Sequence, residues 1–190
     1  MARIKICGLR RREDIEAVNT LRPDFAGFII SKGFRRTVDD INELLSLLDK
    51  SIKSVGVFVN DSEEAVLASE TDFVQLHGDE SPDYCGRIRK SKRVIKVLKP
   101  DSFYKTEEYE PFVDLFLFDS GTGTGVAFDW KNLPKTEKPF LLAGGLSSDN
   151  LEEAAKTGAY ALDMSSSVET DGVKDFDKIK EIIDMARRIK

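Results

Sequence analysis

The stretch VGVFVNDSEEAVLASETDFVQLHGDESPDYCGRIRKSKRVIKVL, Val55 to Leu98, decides the fold. Val55 to Val59 is a short apolar run, Ser62 to Ser69 reads as a helix, Phe73 to Leu76 is apolar again, Pro82 to Ser91 is helical, and Val94 to Leu98 returns to strand. Short apolar runs alternating with amphipathic ones are the pattern of parallel strands joined by helical crossovers.

The alternation continues in both directions. Upstream, a strand over Arg3 to Cys7 precedes a helix over Arg12 to Leu21, and a strand over Phe25 to Ile30 precedes a helix near Asp39 to Leu48, with Asp39 or Asp40 placed to cap it. Downstream, Asp101 to Glu110 is a poor helix, so an irregular fifth crossover is expected. Strands follow at Leu115 to Phe118, Phe140 to Ala143 and Ala161 to Met164. A helix from Asn150 to Thr157 stops at Gly158, and another from Asp175 to Arg188 repeats Ile179, Ile182, Ile183 and Ile189 on one face. Eight strands in 190 residues predict one compact (β/α)8 TIM barrel spanning residues 1–190. The competing open, doubly wound sheet would carry a Gly-rich nucleotide turn after the first strand, which Gly8-Leu9-Arg10 does not provide.

Composition narrows the function. At 41% hydrophobic and 33% charged, the chain has the apolar material for a full core. The 29 basic and 34 acidic side chains leave a net charge of −5, which lacks the basic footprint of a nucleic-acid binder. Two cysteines and one histidine supply neither a disulfide framework nor a four-ligand zinc site. No run approaches the roughly 18 apolar residues of a membrane span, and the N-terminus reaches charge and glycine too early for a signal peptide, so a cytoplasmic protein acting on a small molecule, as monomer or homodimer, is expected.

In a barrel of this kind, active-site groups come from the C-terminal ends of the strands and the loops that follow. The period-2 rule points Lys5 and Cys7 inward on the first strand, Phe73, Gln75 and His77 on the fourth, Leu115, Leu117 and Asp119 on the sixth, and Ala161 and Asp163 on the eighth. Cys7, ending the first strand before Gly8, stands where a general base or nucleophile would sit, and a working thiolate calls for a pKa lowered by nearby cations or a helix N-terminus. Asp119 ends the run Leu115-Phe116-Leu117-Phe118, where loss of water would suit it to act as a general acid. Three glycine- and serine-rich corners, Gly123-Thr124-Gly125, Gly144-Gly145 and Ser165-Ser166-Ser167, follow the last three strands and suit a phosphorylated substrate. Arg35 or Arg36 would clamp a second anionic group. Asp163 is counted with the pocket and also as the partner of a buried Lys5, while Gln75 and His77 either line the pocket or complete a hydrogen-bonded layer.

Several of these residues fall into longer motifs: Lys5-Ile6-Cys7-Gly8, Ala26-Gly27-Phe28 with Arg36 after it, Val55-Gly56-Val57-Phe58-Val59-Asn60, and Val74-Gln75-Leu76-His77-Gly78-Asp79-Glu80. Further along stand Gly123-Thr124-Gly125 with Phe128-Asp129-Trp130, Leu142-Ala143-Gly144-Gly145-Leu146, and Asp163-Met164-Ser165-Ser166 with Val168-Glu169. In this order, and over nearly the whole chain, they resemble the phosphoribosylanthranilate isomerases. The resemblance implies an Amadori rearrangement of N-(5-phosphoribosyl)anthranilate to 1-(2-carboxyphenylamino)-1-deoxyribulose 5-phosphate in tryptophan biosynthesis, with no cofactor and no metal. It implies that Asp119 is the general acid and Cys7 the general base, that Arg36 holds the anthranilate carboxylate, and that Gly123, Gly125, Gly144, Gly145, Ser165 and Ser166 take the phosphate. In this chain Ser167 stands where the family usually has glycine. Two rival readings are another phosphate-binding barrel isomerase or epimerase, and a non-catalytic barrel that binds a phosphorylated ligand.

Overall fold

A computed structural model describes residues 1–119 and 129–189. In chain order it holds β1 (Ile4–Cys7), α1 (Arg12–Leu21), β2 (Phe25–Ile29), α2 (Ile41–Leu47), β3 (Lys53–Phe58), α3 (Glu63–Leu67), β4 (Phe73–Leu76), α4 (Pro82–Arg89) and β5 (Arg93–Leu98). The second half holds α5 (Thr106–Tyr109), β6 (Leu115–Asp119), β7 (Phe140–Ala143), α6 (Leu151–Ala155), β8 (Ala161–Met164), a hairpin of β9 (Glu169–Thr170) and β10 (Val173–Lys174), and α7 (Phe176–Arg188). The eight strands β1 to β8 are all parallel, and β1 pairs with both β2 and β8, so the sheet closes into the barrel that the alternation predicts.

Strand pleating divides the apolar residues into two cores. Phe25, Val55, Phe73, Ile95, Leu115 and Leu141 fill the barrel interior, where Phe25 and Phe73 meet edge to face at 5.8 Å. The alternate residues, such as Ile4, Ile6, Phe28, Leu76 and Phe116, face the helices. That outer layer receives the apolar stripe of α7, with Ile179, Ile182, Ile183 and Ala186 buried. Asp40, not Asp39, caps α2, its carboxylate accepting from the Asn42 and Glu43 amides.

The fifth crossover is irregular, as the sequence suggests. Pro100–Lys105 and Glu110–Phe112 form 3-10 turns on either side of the single turn α5, with Pro100 opening the first and Pro111 second in the other. Among the described residues, the sixth connection contains only the 3-10 turn Trp130–Asn132. No helix among the described residues is long and apolar enough to cross a membrane.

The β9–β10 hairpin is absent from the sequence reading. Its two strands are each two residues long, too short to show a period. The signal was the Asp171-Gly172 pair, whose positive φ angles of 51° and 77° are those of a two-residue hairpin turn.

Candidate active site

Chain direction places the C-terminal ends of all eight strands on one rim, and the polar residues there enclose a cavity of about 470 Å³. Cys7 from β1, Gln75 from β4, Asp119 from β6 and Asp163 from β8 line it, together with His77 directly after β4. Arg36 enters from the loop after β2, and Gly144, Gly145, Ser165 and Ser166 complete the wall after β7 and β8. Every expected site residue that lies in the described part of the chain is therefore in one cavity. Gly123 and Gly125 lie outside the described residues.

The first-strand end is built by close approach. Gly27 on β2 lies against Cys7, and a Cβ at Gly27 would fall 2.8 Å from Cys7 Sγ and 3.2 Å from Lys5 Cε. A side chain there would displace both groups. Gly8, at φ +84°, carries no Cβ where Arg36 Cδ passes at 2.5 Å from the position a Cβ would take. The glycine after Cys7 thus lets the arginine reach back over the end of β1.

Lys5 is fully buried and its Nζ donates to Asp163 Oδ2 at 2.8 Å, the inward ion pair expected between neighbouring strands. Burial opposes the Lys5 charge, but Asp163 and Cys7 more than offset it and raise the ammonium pKa, while burial pushes the Asp163 carboxyl up against the pull of Lys5. Cys7 departs from expectation. Burial pushes its thiol up, and the opposing pull of Lys5 and Lys174 does not overcome it. The cations that the sequence reading invoked are present, but desolvation of the closed strand end outweighs them, so the resting group is a thiol.

His77 Nε2 stands 3.6 Å from Asp119 Oδ2, and Gln75 Nε2 stands 3.5 Å from His77 Nδ1. Burial pulls the imidazole below its ordinary value against the attraction of Asp119, which keeps the ring neutral near pH 7. Gln75 Oε1, Asp163 Oδ1 and Ser167 Oγ are buried and have no hydrogen-bond partner among the described residues. Among the described residues, three of the cavity wall therefore retain unused hydrogen-bonding capacity.

Arg36 rather than Arg35 forms a fork. Its Nε and Nη2 donate to the two carboxylate oxygens of Glu169 at 2.6 and 2.7 Å. Burial would raise Glu169, but hydrogen bonds from Arg36 and Lys174 hold it at about 2. The arginine expected to clamp an anionic group is thus already held on one edge by an acid of the protein itself.

A model of the N-(5′-phosphoribosyl)anthranilate isomerases matches residues 4–185. The chain belongs to that family. The N-(5′-phosphoribosyl)anthranilate isomerase of Thermoanaerobacter pseudethanolicus is 44% identical over 205 aligned positions, covering both chains completely. That of Clostridium acetobutylicum is 42% identical, again over the full length of both. Among solved structures, the Thermus thermophilus phosphoribosyl anthranilate isomerase superposes with a TM-score of 0.87 at 29% identity, covering 99% of this chain and 100% of that one. A phosphoribosyl anthranilate isomerase solved with reduced 1-(o-carboxyphenylamino)-1-deoxyribulose 5-phosphate has a TM-score of 0.84 at 30% identity, covering 98% and 99%.

Against the family motifs, sequence reasoning missed the supports rather than the cavity wall. Lys96 points away from the barrel interior and donates to Glu80 Oε2 at 2.7 Å and to the Gly78 carbonyl at 2.7 Å. Glu80 also accepts from the Asn60 and Gly78 amides, which fixes the loop that carries His77. Lys99, just past β5, also lines the cavity and was not singled out. Unlike the inward Lys5, Lys96 has no facing acid on a neighbouring strand to signal burial, so only its pairing in space with Glu80 could have revealed it.

Proposed function

We propose that this isomerase opens and rearranges N-(5-phosphoribosyl)anthranilate to 1-(2-carboxyphenylamino)-1-deoxyribulose 5-phosphate, the tryptophan-biosynthetic reaction of its family. Asp119 protonates the furanose ring oxygen, which breaks the C1–O bond and leaves a Schiff base between C1 and the anthranilate nitrogen. Cys7, as thiolate, removes the proton from C2, and the electron pair of that C–H bond moves to form the enolamine. Proton return at C1 with loss of the enol proton gives the ketone, so the step conserves atoms and needs no outside oxidant or reductant.

The observation that carries this reading is the meeting of Cys7 and Asp119, from β1 and β6, in one cavity whose wall continues into the Gly144-Gly145 and Ser165-Ser166 corners. An acid and a base on different strands can act on different atoms of one sugar, and the corners after the last two strands suit its phosphate. Arg36 takes the anthranilate carboxylate. Sugar hydroxyls supply donors to the unpartnered Gln75 Oε1 and Asp163 Oδ1. The thiol state of resting Cys7 means that the base must be generated by proton loss, which the Lys5 ammonium favours once substrate has displaced water.

The test is turnover of freshly generated phosphoribosylanthranilate, read as loss of its fluorescence. Folded wild-type protein that leaves the fluorescence unchanged would sink the isomerase reading.

A further inference from the structure

The hairpin between β8 and α7 does more than connect them. Glu169 at its start is almost wholly buried and accepts both Nε and Nη2 of Arg36. Lys174 at its end is equally buried and donates to Glu169 Oε1 at 2.8 Å and to the Ser165 carbonyl at 2.9 Å. The turn that brings these two residues together has a required shape. A Cβ on Gly172 would lie 2.0 Å from Arg35 Nη2, and the φ of +77° disfavours any side chain. Arg35 and Arg36 are therefore seated on opposite ends of the same hairpin, and Lys174 ties it to the serine corner.

We propose that Glu169 and Lys174 are positioning residues for substrate: Glu169 orients the Arg36 guanidinium so that its remaining edge meets a substrate carboxylate, and Lys174 fixes that arrangement to the Ser165 corner. This rests on the isomerase reading, in which Arg36 is the carboxylate site. Arginine is a rotamer-rich side chain, and a guanidinium already held on one edge forfeits little conformational freedom when ligand binds the other. The hairpin also sets a fixed spacing between the two anion-binding ends of the cavity, one at Arg36 and one at Ser165. Arg36, Lys174 and Glu169 together leave one net positive charge, so the buried acid orients the arginine without cancelling its attraction for an anion.

Two reduced product analogues separate this role from general support of the fold. One is reduced 1-(o-carboxyphenylamino)-1-deoxyribulose 5-phosphate, and the other is its phenylamino counterpart without the carboxylate. Calorimetric titration of the wild-type protein should show a preference for the carboxylate-bearing analogue of about 10- to 100-fold, the worth of a bidentate charge-assisted contact. Glu169→Gln, which keeps the shape but replaces one of the two accepting oxygens with a donating NH2, should lose most of that preference while binding the phenylamino analogue as before. In turnover the same variant should raise KM for phosphoribosylanthranilate more than it lowers kcat. Arg36→Lys keeps the charge without the fork and should show the same selective loss, which retains the test if Glu169→Gln does not fold. Equal weakening toward both analogues, an intact preference in the folded variants, or no preference in the wild type each overturns the proposal. Absence of wild-type turnover overturns the isomerase reading instead, independently of the binding result.

Discussion

Gly8→Ala puts the geometry around Arg36 to a quantitative test. The Cβ it adds would lie 2.5 Å from Arg36 Cδ, about 1 Å inside the roughly 3.5 Å at which two carbons make favourable contact. The arginine's far end cannot simply swing aside, because Nε and Nη2 are held by Glu169 at 2.6 and 2.7 Å. A 1 Å displacement would take both beyond about 3.6 Å, where a hydrogen bond is lost. We therefore predict two separable costs. Alanine at φ +84° adds about 1–2 kcal/mol of backbone strain, and loosening a charge-assisted fork adds about 1.5–3 kcal/mol. For a chain of this size each kcal/mol lowers Tm by about 2–4 °C, so scanning calorimetry should find a drop of roughly 5–20 °C. Steady-state kinetics should show KM for phosphoribosylanthranilate rising about tenfold or more with a smaller change in kcat. Gly158→Ala is the control: Gly158 has a similar φ of +81° but nothing within 4 Å of the added carbon. It should lower Tm by the strain alone and leave KM untouched. A Gly8→Ala protein no less stable than Gly158→Ala, with wild-type KM, would refute the reasoning that Gly8 exists to admit Arg36.

Four further outcomes are expected. Cys7→Ser and Asp119→Asn should each lower kcat by at least about 100-fold with little change in KM, and near-wild-type kcat in either would remove that residue from its acid or base role. Because burial raises the Cys7 thiol pKa, its alkylation by iodoacetamide, mapped by mass spectrometry, should climb about tenfold per pH unit from pH 7 to 9; a plateau before pH 8 would show that Lys5 and Lys174 win over burial. Glu169 is depressed to about 2 against an unfolded value near 4.3, so its ion pairs contribute stability that is complete above about pH 4.3 and lost as pH falls toward 2. Melting curves of Glu169→Gln should accordingly depend less on pH than the wild type across that window, and parallel acid limbs would contradict the assignment. Lys5→Met leaves Asp163 buried without its cation and should cost about 3–5 kcal/mol in urea unfolding, most of it recovered in the double variant with Asp163→Leu; additive losses would argue against a coupled pair.

How far the sequence anticipates this molecule depends on the kind of residue concerned. Strands buried on both faces read as mostly apolar runs, and β4, β7 and β8 begin and end where those runs do, with Gln75 and Asp163 the polar interruptions. The inward set follows from pleating alone, which is why Cys7, Gln75, Asp119 and Asp163 were legible as neighbours before any contact was known. Lys53 and Arg93 were not assigned to β3 and β5, because a charged residue at a strand's start looks like loop. Buried charge outside the barrel interior is the larger failure. Lys96 and Lys174 resemble surface lysines in composition, and only the acids facing them, Glu80 and Glu169, show why they can be inside. The Cys7 shift failed for a related reason: its direction is a contest between burial and nearby cations, and a sequence states the presence of both but the magnitude of neither.

The charges around Cys7 show why the supports matter as much as the residues that meet substrate. Lys5, Arg36 and Lys174 all interact with its thiolate, and each already has an acid partner, Asp163 for the first and Glu169 for the other two. Three cations against two acids leave one positive charge in excess. In the proposed reaction, a carboxylate bound at Arg36 would add a negative charge close to a cysteine that would itself have to become negative to act as a base, and like charges at short range oppose that ionisation. Lys174, buried against Glu169 and outside the cavity wall, would supply the compensating charge. On that reading a neutral residue at 174 would act on catalysis through Cys7 as well as on binding through Arg36, although position 174 does not line the cavity.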